Sequence, residues 1–474
     1  MNTYLTDILQ SGALMITTIT GIVLLLVEAN RRGRPATSFA LAIVGLLAAG
    51  MTALIQMPAH GTGFSGMVQT GGFASFFAAL FAVAGAMTIA LSRSYLARIG
   101  WFRGEYAILT VFAVVGMMLI AASNDLIILF LGVELMSVCL YVLAGLARVR
   151  DRSNEAALKY FLLGAFATGF LLYGIALIYG AVGSTNFEAI SAAFPAISAH
   201  IMFLAGAGLV VVGLSFKVSA VPFHMWAPDV YEGAPTTVSA LMSTAAKAAA
   251  FSGFLVLFVR TFHFVGAGLN TVLAVIAAAS MILGNVVAIA QTNIKRMLAY
   301  SSIAHAGYML AGVAAANAIG LMGVAFYLVA YAFMNIGAFA VVSMVEDDHE
   351  QHLTLDDYAG LSKQRPLVAA LMAVFMFALA GVPPFAGFFG KYYVFLAAVE
   401  GKMTWLAIVG VLTSLISAYY YLRIVVLMYF RDGAADVAAK PSVLTMVTVV
   451  LAALLVLQLG ITPSVVVQAA QRFF

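Results

Sequence analysis

Long apolar runs recur along the whole chain, and this feature constrains the fold more than any other. Of the 474 residues, 64% are hydrophobic and 9% are charged, whereas a water-soluble domain carries roughly 25% charged residues. Too few charges are available to cover the surface of an aqueous fold, so lipid must surround most of the chain. The runs have the length of membrane-spanning helices, not the short alternating pattern of a membrane β-barrel. We therefore predict an all-α, polytopic integral membrane protein.

The apolar runs predict about 14 transmembrane helices of roughly 20 residues each. Their predicted centres, in chain order, are Ile22, Val44, Ala82, Val114, Leu131, Phe170, Leu209, Phe251, Ala279, Met309, Leu328, Ala380, Ser414 and Ala452. Basic residues are concentrated in the loops that follow odd-numbered spans: Arg31, Arg32, Arg34, Arg93, Arg98, Arg103, Arg148, Arg150, Arg152, Lys295, Arg296, Lys363, Arg365, Arg431 and Lys440. Arg260 and Lys402 are the exceptions. Because positively charged loops stay in the cytoplasm, this pattern predicts that both termini lie in the periplasm.

Two short stretches of the sequence return later in the chain. Residues 141–147 (YVLAGLA) match residues 308–314 (YMLAGVA), and the VPF of residues 221–223 returns as VPPF in residues 382–385. An odd number of predicted spans separates the partners, so the two units would have opposite topology. Transporters are often built from such inverted repeats, each with a helix interrupted by Pro or Gly. The sequence therefore predicts an inverted repeat, with helix breaks at Pro222 and at Pro383 and Pro384.

Five ionisable side chains fall within the predicted spans: Glu134, Lys217, Lys247, Lys391 and Arg423. An ionisable residue at the centre of a membrane helix costs about 2.5–3.5 kcal/mol or more, so it persists only where it is paired, hydrated or used. A spaced series of protonatable groups is typical of proton transport. The alternative for each residue is a static ion pair that joins two helices. Arg423 lies near a span end and stays charged, which suits a structural anchor better than a proton carrier.

The other four residues are each assigned a step in proton transfer. Glu134 lies too far from either end of its run to reach an interface, and is interpreted as a proton-exchanging carboxylate or a counter-charge for a lysine. Lys217 precedes Pro222, which disturbs the helix and makes a polar pocket plausible. Lys247 has alanine neighbours, which leave room for water. Lys391 follows a Gly/Pro break and is interpreted as the terminal site of the relay.

Two histidines are further candidates, and other kinds of site are excluded. His224 and His305 could carry protons between the lysines because histidine titrates near neutral pH; hydrogen-bonded packing, or for His224 capping of the helix break, is the alternative. No group of His, Asp and Glu has metal-ligand spacing, no phosphate loop follows a strand, and the single Cys139 excludes an internal disulfide. We predict no metal and no cofactor in this chain. The net charge of +4 comes from short loops and does not indicate a nucleic-acid partner.

Residues 217–235 (KVSAVPFHMWAPDVYEGAP) carry a resemblance to a known family. Supporting stretches are residues 132–135 (GVEL), 293–305 (NIKRMLAYSSIAH) and 381–391 (GVPPFAGFFGK). Together they make the chain similar, over essentially its whole length, to the antiporter-like membrane subunits of respiratory complex I. The ending of the first stretch differs from that of the L and M subunits, and the chain lacks the long C-terminal lateral helix of subunit L.

The resemblance implies a fold and a set of site residues. It implies two inverted five-helix units, each with a broken helix. It places a glutamate–lysine pair at Glu134 and Lys217, a central lysine at Lys247 and a terminal residue at Lys391. The chain then divides into 1–104 (helices 1–3), 105–265 (first repeat), 266–432 (second repeat) and 433–474 (last helix).

The resemblance also implies partners and a location. FMN, iron–sulfur clusters and quinone are expected in partner subunits, both membrane and peripheral, with membrane lipid around the chain in a bacterial inner membrane. The hypothesis is a proton-translocating subunit that couples NADH oxidation and quinone reduction in other chains to pumping. A stand-alone or Mrp-type Na⁺/H⁺ antiporter is the first alternative, although a sodium site requires oxygen ligands and Glu134 is the only clearly central carboxylate. A non-conducting scaffold is the second.

Overall fold

The computed structural model describes residues 2–30, 34–197, 200–261, 266–346, 353–433 and 442–473, and these residues are predominantly helical. Arg31, Arg32 and Lys440, which the sequence marked as topology signals, lie outside the described residues. The helices are α1 (Asn2–Gln10), α2 (Gly12–Asn30), α3 (Pro35–Gln56), α4 (Gly72–Arg98), α5 (Gly104–Ala122), α6 (Leu126–Ala144), α7 (Asp151–Val182), α8 (Phe187–Ile197), α9 (Ile201–Lys217), α10 (Trp226–Gly233), α11 (Thr236–Leu241), α12 (Lys247–Phe254), α13 (Gly266–Ile289), α14 (Ile294–Ala314), α15 (Ala318–Val345), α16 (Leu361–Gln364), α17 (Pro366–Ala380), α18 (Ala386–Glu400), α19 (Thr404–Phe430), α20 (Val443–Ile461) and α21 (Ser464–Phe473).

Eleven helical segments of the described residues are long and apolar enough to cross a membrane. Each predicted centre lies on a helix, but Leu209, Met309 and Ala380 lie on helices outside these eleven. Leu209 lies on α9, which has 17 residues, and Ala380 lies on α17, which has 15 residues. Both helices stop at an interruption. Helix α14 is long but carries Lys295, Arg296 and His305. The prediction of an all-α polytopic membrane protein is confirmed, whereas the number of 14 spans stays a prediction, as do the boundaries of the four units.

The inner and outer helices differ in how much of their apolar surface the chain itself covers. Nearly all residues of α4, α15 and the span Thr236–Phe258 are buried, whereas most residues of α2, α3 and α19 are not. Leu, Ile and Val side chains dominate the exposed set on the outer helices. Since a membrane protein has no aqueous surface at mid-depth, the outer faces suit lipid or partner helices and the inner helices form the core.

The helices are interrupted where the sequence placed its two breaks. Helix α9 ends at Lys217, and α10 resumes at Trp226 after an irregular segment with a cis Val221–Pro222 bond. Helix α17 ends at Ala380, and α18 begins at Ala386 after a cis Pro383–Pro384 bond. Both interruptions follow from the residues, because proline offers no N–H to a continuing helix. Lys217 and Lys391 therefore each lie beside irregular backbone.

The span between α10 and α13 contains two π-helical segments. They are Met242–Ala246 and Leu255–Thr261, and they flank α12. A π-helical turn widens the helix and leaves backbone groups less regularly paired. Lys247 is the first residue of α12, directly after the first of these segments.

Two small elements complete the fold. Strands β1 (His60–Gly63) and β2 (Val68–Gly71) form an antiparallel hairpin between α3 and α4, with His60 opposite Gly71. A 3₁₀ turn, Leu355–Tyr358, precedes α16. Close contact between α5 and α6 depends on glycine, since a Cβ on Gly132 would lie 2.8 Å from the carbonyl oxygen of Gly116. Small residues are the usual means of such helix contact in membranes.

Candidate functional site

Glu134 lies at an edge of the molecule and not at its centre. Its side chain is half-buried on α6, and Leu131 and Val138 on either side are 50% and 52% exposed. The hydroxyl of Thr168 on α7 donates to Glu134 Oε1 at 2.8 Å. The sequence predicted a carboxylate away from the membrane interfaces, and the structure adds that it faces outward between α6 and α7.

Lys217 is held by hydroxyl groups of the same helix that carries Glu134. Its Nζ donates to Ser137 Oγ at 2.7 Å and to Tyr141 Oη at 3.2 Å. Ser137 and Tyr141 follow Glu134 by three and seven residues, which places all three on one face of α6. Among the described residues, Glu134 and Lys217 form no direct ion pair, and the lysine donates to the two hydroxyls instead.

Lys247 is 1% exposed and reaches from α12 to α14. Its Nζ donates to the carbonyl oxygen of Ser302 at 2.8 Å and to the hydroxyl of Ser302 at 2.5 Å. Both acceptors are neutral, and one of them is a hydroxyl that can itself pass a proton on. The arrangement connects the central lysine to the helix that carries His305.

His305 lies in a buried group of tyrosines. Its Nδ1 is 2.8 Å from Tyr327 Oη, and its Nε2 is 3.0 Å from Tyr421 Oη. Tyr421 Oη also hydrogen-bonds to Ser301 Oγ. Each ring nitrogen faces a hydroxyl that can donate or accept, so either imidazole tautomer can be satisfied. His305 is therefore connected by hydroxyls on both sides, as a relay requires.

Lys391 lies at the second helix break. Its Nζ donates to the carbonyl oxygen of Ala380 at 2.8 Å and to Ser414 Oγ at 2.7 Å, and lies 5.1 Å from the centre of the Tyr308 ring. Ala380 is the last residue of α17, so the interruption supplies the carbonyl that the lysine uses. The lysine also lines a cavity of about 660 Å³ with Pro383 and Tyr392 on its walls.

His224 is not joined to the lysines in the same way. It lies half-buried in the segment between α9 and α10, and its Nδ1 is buried with no hydrogen-bond partner in the part of the chain that the structure describes. The position beside the break agrees with either interpretation of this residue, as a relay or as a cap.

Several site residues were not singled out from the sequence. They are the serines and tyrosines that hold the ionisable groups: Ser137, Tyr141, Ser302, Tyr308, Tyr327, Ser414 and Tyr421. One signal was present, because Tyr141 and Tyr308 occupy the same position in the two repeated stretches. Tyr141 lies against Lys217 at 5.6 Å from ring centre to Nζ, and Tyr308 lies against Lys391 in the same manner.

Several of the basic residues that marked one end of the spans form contacts with other parts of the chain. Arg296 forms ion pairs with Asp229 at 2.7 Å and with Glu232 at 3.0 Å. Lys295 is fully buried and donates to the carbonyl oxygen of Ala234 at 2.7 Å. At the same end, Lys363 hydrogen-bonds to Asp432 and lowers the pKa of that exposed carboxyl group. These residues therefore tie loops together in addition to marking topology.

Comparison with known proteins identifies the family of this chain. The profile of a family described as "NADH:quinone oxidoreductase/Mrp antiporter, TM" matches residues 123–417, the part that holds Glu134, the three buried lysines and both histidines. The chain belongs to this family. Within the family it is 46% identical to NADH-quinone oxidoreductase subunit N 1 of Chloroherpeton thalassium, over 99% of this chain and 98% of that protein. It is also 46% identical to NADH-quinone oxidoreductase subunit N of Trichlorobacter lovleyi, over 97% and 95%.

Solved structures of the family show the same fold. A chain of respiratory complex I from Thermus thermophilus with bound aureothin has a TM-score of 0.84 and 34% identity, with 96% of this chain and 98% of that chain covered. A chain of the Mrp complex from Dietzia has a TM-score of 0.87 at 20% identity, with 98% and 96% covered. The second likeness concerns the fold alone. The first, with the sequence relatives, makes this chain an antiporter-like membrane subunit of the subunit N type.

Proposed function

We propose that this chain is a proton-translocating membrane subunit of a bacterial NADH–quinone oxidoreductase, respiratory complex I. The observation that carries the proposal is the set of three buried lysines, Lys217, Lys247 and Lys391, which are 6%, 1% and 5% exposed. In the described part of the chain, each donates hydrogen bonds only to neutral oxygens. A permanent ion pair would hold a lysine in one protonation state, whereas hydroxyl and carbonyl partners let it exchange a proton.

The contacts supply a route from the central lysine to the second break. Lys247 donates a hydrogen bond to Ser302 on α14. His305 follows Ser302 by three residues and lies on the same face of that helix. Tyr421 hydrogen-bonds to both His305 and Ser301. Tyr308, three residues after His305 on α14, lies against Lys391. A proton on Lys247 would move along hydroxyls and the imidazole to Lys391, which releases it through the break between α17 and α18. Water completes the remaining steps, including the step from Lys217 to Lys247.

Glu134 is proposed as the input of energy and not as a proton carrier alone. It lies at an outer edge, and its charge acts on Lys217 through Ser137 and Tyr141 on the same helix face. A change of charge in a neighbouring subunit would alter the field at Glu134, and Lys217 would gain or lose its proton in response. The redox chemistry, with FMN, iron–sulfur clusters and quinone, is assigned to partner subunits, and the chain to the inner membrane with both termini periplasmic.

Substitution of the central lysine tests the proposal. We expect Lys247→Ala in the assembled complex to reduce the number of protons pumped per NADH, measured in proteoliposomes with a pH-sensitive dye. Lys363→Ala is the matched control, because Lys363 is exposed and is not one of the three buried lysines. Undiminished pumping per electron in both Lys247→Ala and Lys217→Ala would contradict the relay. Purification without flavin and iron–sulfur subunits would favour a stand-alone antiporter instead, for which the 20% likeness to the Mrp chain gives no support beyond the fold.

A further inference from the structure

Glu346 is a fully buried carboxylate that belongs to none of the contacts described so far. It follows the last residue of α15, at the point where α4 and α11 also meet. Its Oε1 accepts a hydrogen bond from Tyr95 Oη at 3.1 Å, and its Oε2 accepts one from Thr236 Oγ1 at 2.5 Å. Thr236 N in turn donates to Tyr95 Oη at 3.2 Å. The carboxylate therefore lies at the positive, N-terminal end of the span that carries Lys247.

Among the described residues, three other ionisable groups lie near Glu346. Tyr95 and Arg98 come from α4, where Arg98 donates to the carbonyl oxygen of Ser343 at 2.6 Å, one turn before Glu346. Tyr358 comes from the 3₁₀ turn Leu355–Tyr358; it is fully buried and interacts electrostatically with Glu346. This end of the molecule is the one that the basic loops assign to the cytoplasm.

Two helices run inward from Glu346 toward the central lysine. Helix α11 and the π-helical segment after it pack against α15, and the two run antiparallel from the Thr236–Glu346 contact. Lys247 follows Thr236 by eleven residues, and Asn335 precedes Glu346 by eleven residues. At 1.5 Å per residue, both lie about 16 Å inside the contact. Glu346 and Lys247 are therefore opposite ends of one seam between helices.

Polar groups occur along this seam. Ser243 and Thr244 lie on the π-helical segment, and each donates to the carbonyl oxygen of Ala240; Ser343 lies on α15. These hydroxyls use their protons within their own helices, so their oxygens remain able to accept from another donor. The two helical segments that form the seam therefore carry hydroxyl groups at sequence positions between its two charged ends.

The inner end of the seam holds buried polar atoms that other protein groups do not satisfy. In the described part of the chain, both amide atoms of Asn335 and the hydroxyls of Tyr231 and Tyr331 are buried without a hydrogen-bond partner. Both tyrosines lie near Ser302, the partner of Lys247. Buried polar atoms in proteins are satisfied by water where protein groups do not serve. Water is therefore expected beside Lys247 at this end.

We propose that Glu346 is a proton-loading residue, which takes protons from the cytoplasmic side and delivers them along the α11–α15 seam to Lys247. The inference rests on the proposed relay and names its source of protons. The carboxylate gains a proton from water at the cytoplasmic end and becomes a neutral acid. It loses that proton through the Thr236 hydroxyl and the seam to the free amine of Lys247, which becomes an ammonium. Each hydroxyl or water on the route accepts one proton and passes on the one it held, so Glu346 is a carboxylate again and the net change is one proton moved from cytoplasmic water to Lys247.

The competing interpretation is that Glu346 acts as a structural cap at the start of α11. An isosteric substitution distinguishes the cap from the proton carrier. Glu346→Gln keeps the size of the side chain, and the Tyr95 and Thr236 hydroxyls can reverse to suit an amide. A cap would therefore survive the change, whereas a proton carrier would not. Glu346→Asp retains a carboxyl group and serves as the conservative variant. Glu105→Gln is the matched control, because Glu105 is an exposed carboxylate in the first turn of α5.

The experiment measures NADH-driven proton pumping and quinone reduction by the assembled complex in proteoliposomes across a range of pH. We expect Glu346→Gln to slow both rates by about a hundredfold or more, as for loss of a positioned acid–base group. The defect should grow as pH rises, because protons become scarcer and no carboxylate collects them. Glu346→Asp should recover part of the rate, and Glu105→Gln should behave as the unmodified protein.

Two results would overturn the loading role. A Glu346→Gln complex with unchanged rates and pH profile would show that the carboxylate is a cap. An equal loss at every pH together with less assembled complex would show that Glu346 acts in folding or assembly and not in proton loading. A separate result would contradict the relay itself. If Lys247→Ala pumps as well as the unmodified complex, the relay is wrong regardless of the effect of Glu346→Gln.

Discussion

Ser137 Oγ lies 2.7 Å from Lys217 Nζ, so a neutral hydroxyl and not Glu134 is the nearest partner of the first lysine. Ser137 also donates to the carbonyl oxygen of Val133, which directs its lone pairs toward the lysine. In the proposed relay, Lys217 would respond to the charge of Glu134 across α6 and not through a direct contact. This relationship makes the serine itself a target for experiment.

Removal of the Ser137 hydroxyl should weaken the response of Lys217 without removing either charged group. We expect Ser137→Ala to slow coupled pumping by about two- to tenfold, the equivalent of one hydrogen bond, because Tyr141 remains as a partner. Thr448→Ala on α20 is a suitable control, since Thr448 is buried and bonds only to its own helix. Equal rates in the two variants would show that Tyr141 alone holds the lysine.

Two tyrosines on α19 give a paired test of the route through His305. Tyr421 is fully buried between His305 and Ser301, whereas Tyr419 is 59% exposed. We expect Tyr421→Phe to lower pumping by about tenfold, because the hydroxyl that joins the histidine to Ser301 is lost. Tyr419→Phe should leave the rate unchanged. If both variants pump normally in proteoliposomes, protons pass His305 by another path.

The close contact between α5 and α6 predicts that Gly→Ala substitutions at two different positions will have different effects on stability. A methyl group on Gly132 would meet the backbone of Gly116 at 2.8 Å, whereas Gly169 on α7 has open space around it. We expect Gly132→Ala to destabilise the subunit by about 1–3 kcal/mol through overpacking, and Gly169→Ala to change stability by less than about 1 kcal/mol. Thermal denaturation of the purified complex measures both. Equal melting temperatures would show that α5 and α6 can move apart freely.

Orientation can be tested with single cysteines at the two ends of the broken α17–α18 pair. Lys363 precedes α17 and Glu400 ends α18, and both side chains are exposed. We expect a membrane-impermeant thiol reagent to label Lys363→Cys only from the cytoplasmic side and Glu400→Cys only from the periplasmic side. The native Cys139 is buried and should remain unlabelled. The opposite pattern would reverse the proposed direction of transport.

The sequence predicted the membrane fold well because length and hydropathy determine which segments can enter lipid. The 14 predicted centres all lie on helices, and both broken helices followed from proline chemistry. The number of spans was harder to predict, because α9 and α17 are half-helices and α14 carries polar residues that lower its hydropathy. Lys295 was interpreted as a loop signal although it is buried, since charge patterns do not reveal which loop residues fold inward.

The partners of the ionisable residues could not be predicted in the same way. Ser302 and Lys247 are 55 residues apart in the chain, and Ser137 and Lys217 are 80 apart, so their meeting depends on helix packing. Serine is common in membrane helices and carries no pattern that marks such a contact. Glu346 was missed because it begins a charged stretch that resembles an ordinary loop. Its neighbours on α4 and α11 come from distant parts of the sequence.

The outward position of Glu134 has a consequence for how the protein is made. Between insertion and assembly, a half-buried carboxylate flanked by exposed Leu131 and Val138 would face lipid. Exposure of the Glu134 carboxylate to lipid costs free energy. The single hydrogen bond from Thr168 does not offset that cost. We expect newly inserted chains to be short-lived until another subunit covers α6, so that the residue proposed as the input of energy would also make unassembled copies recognisable to membrane proteases.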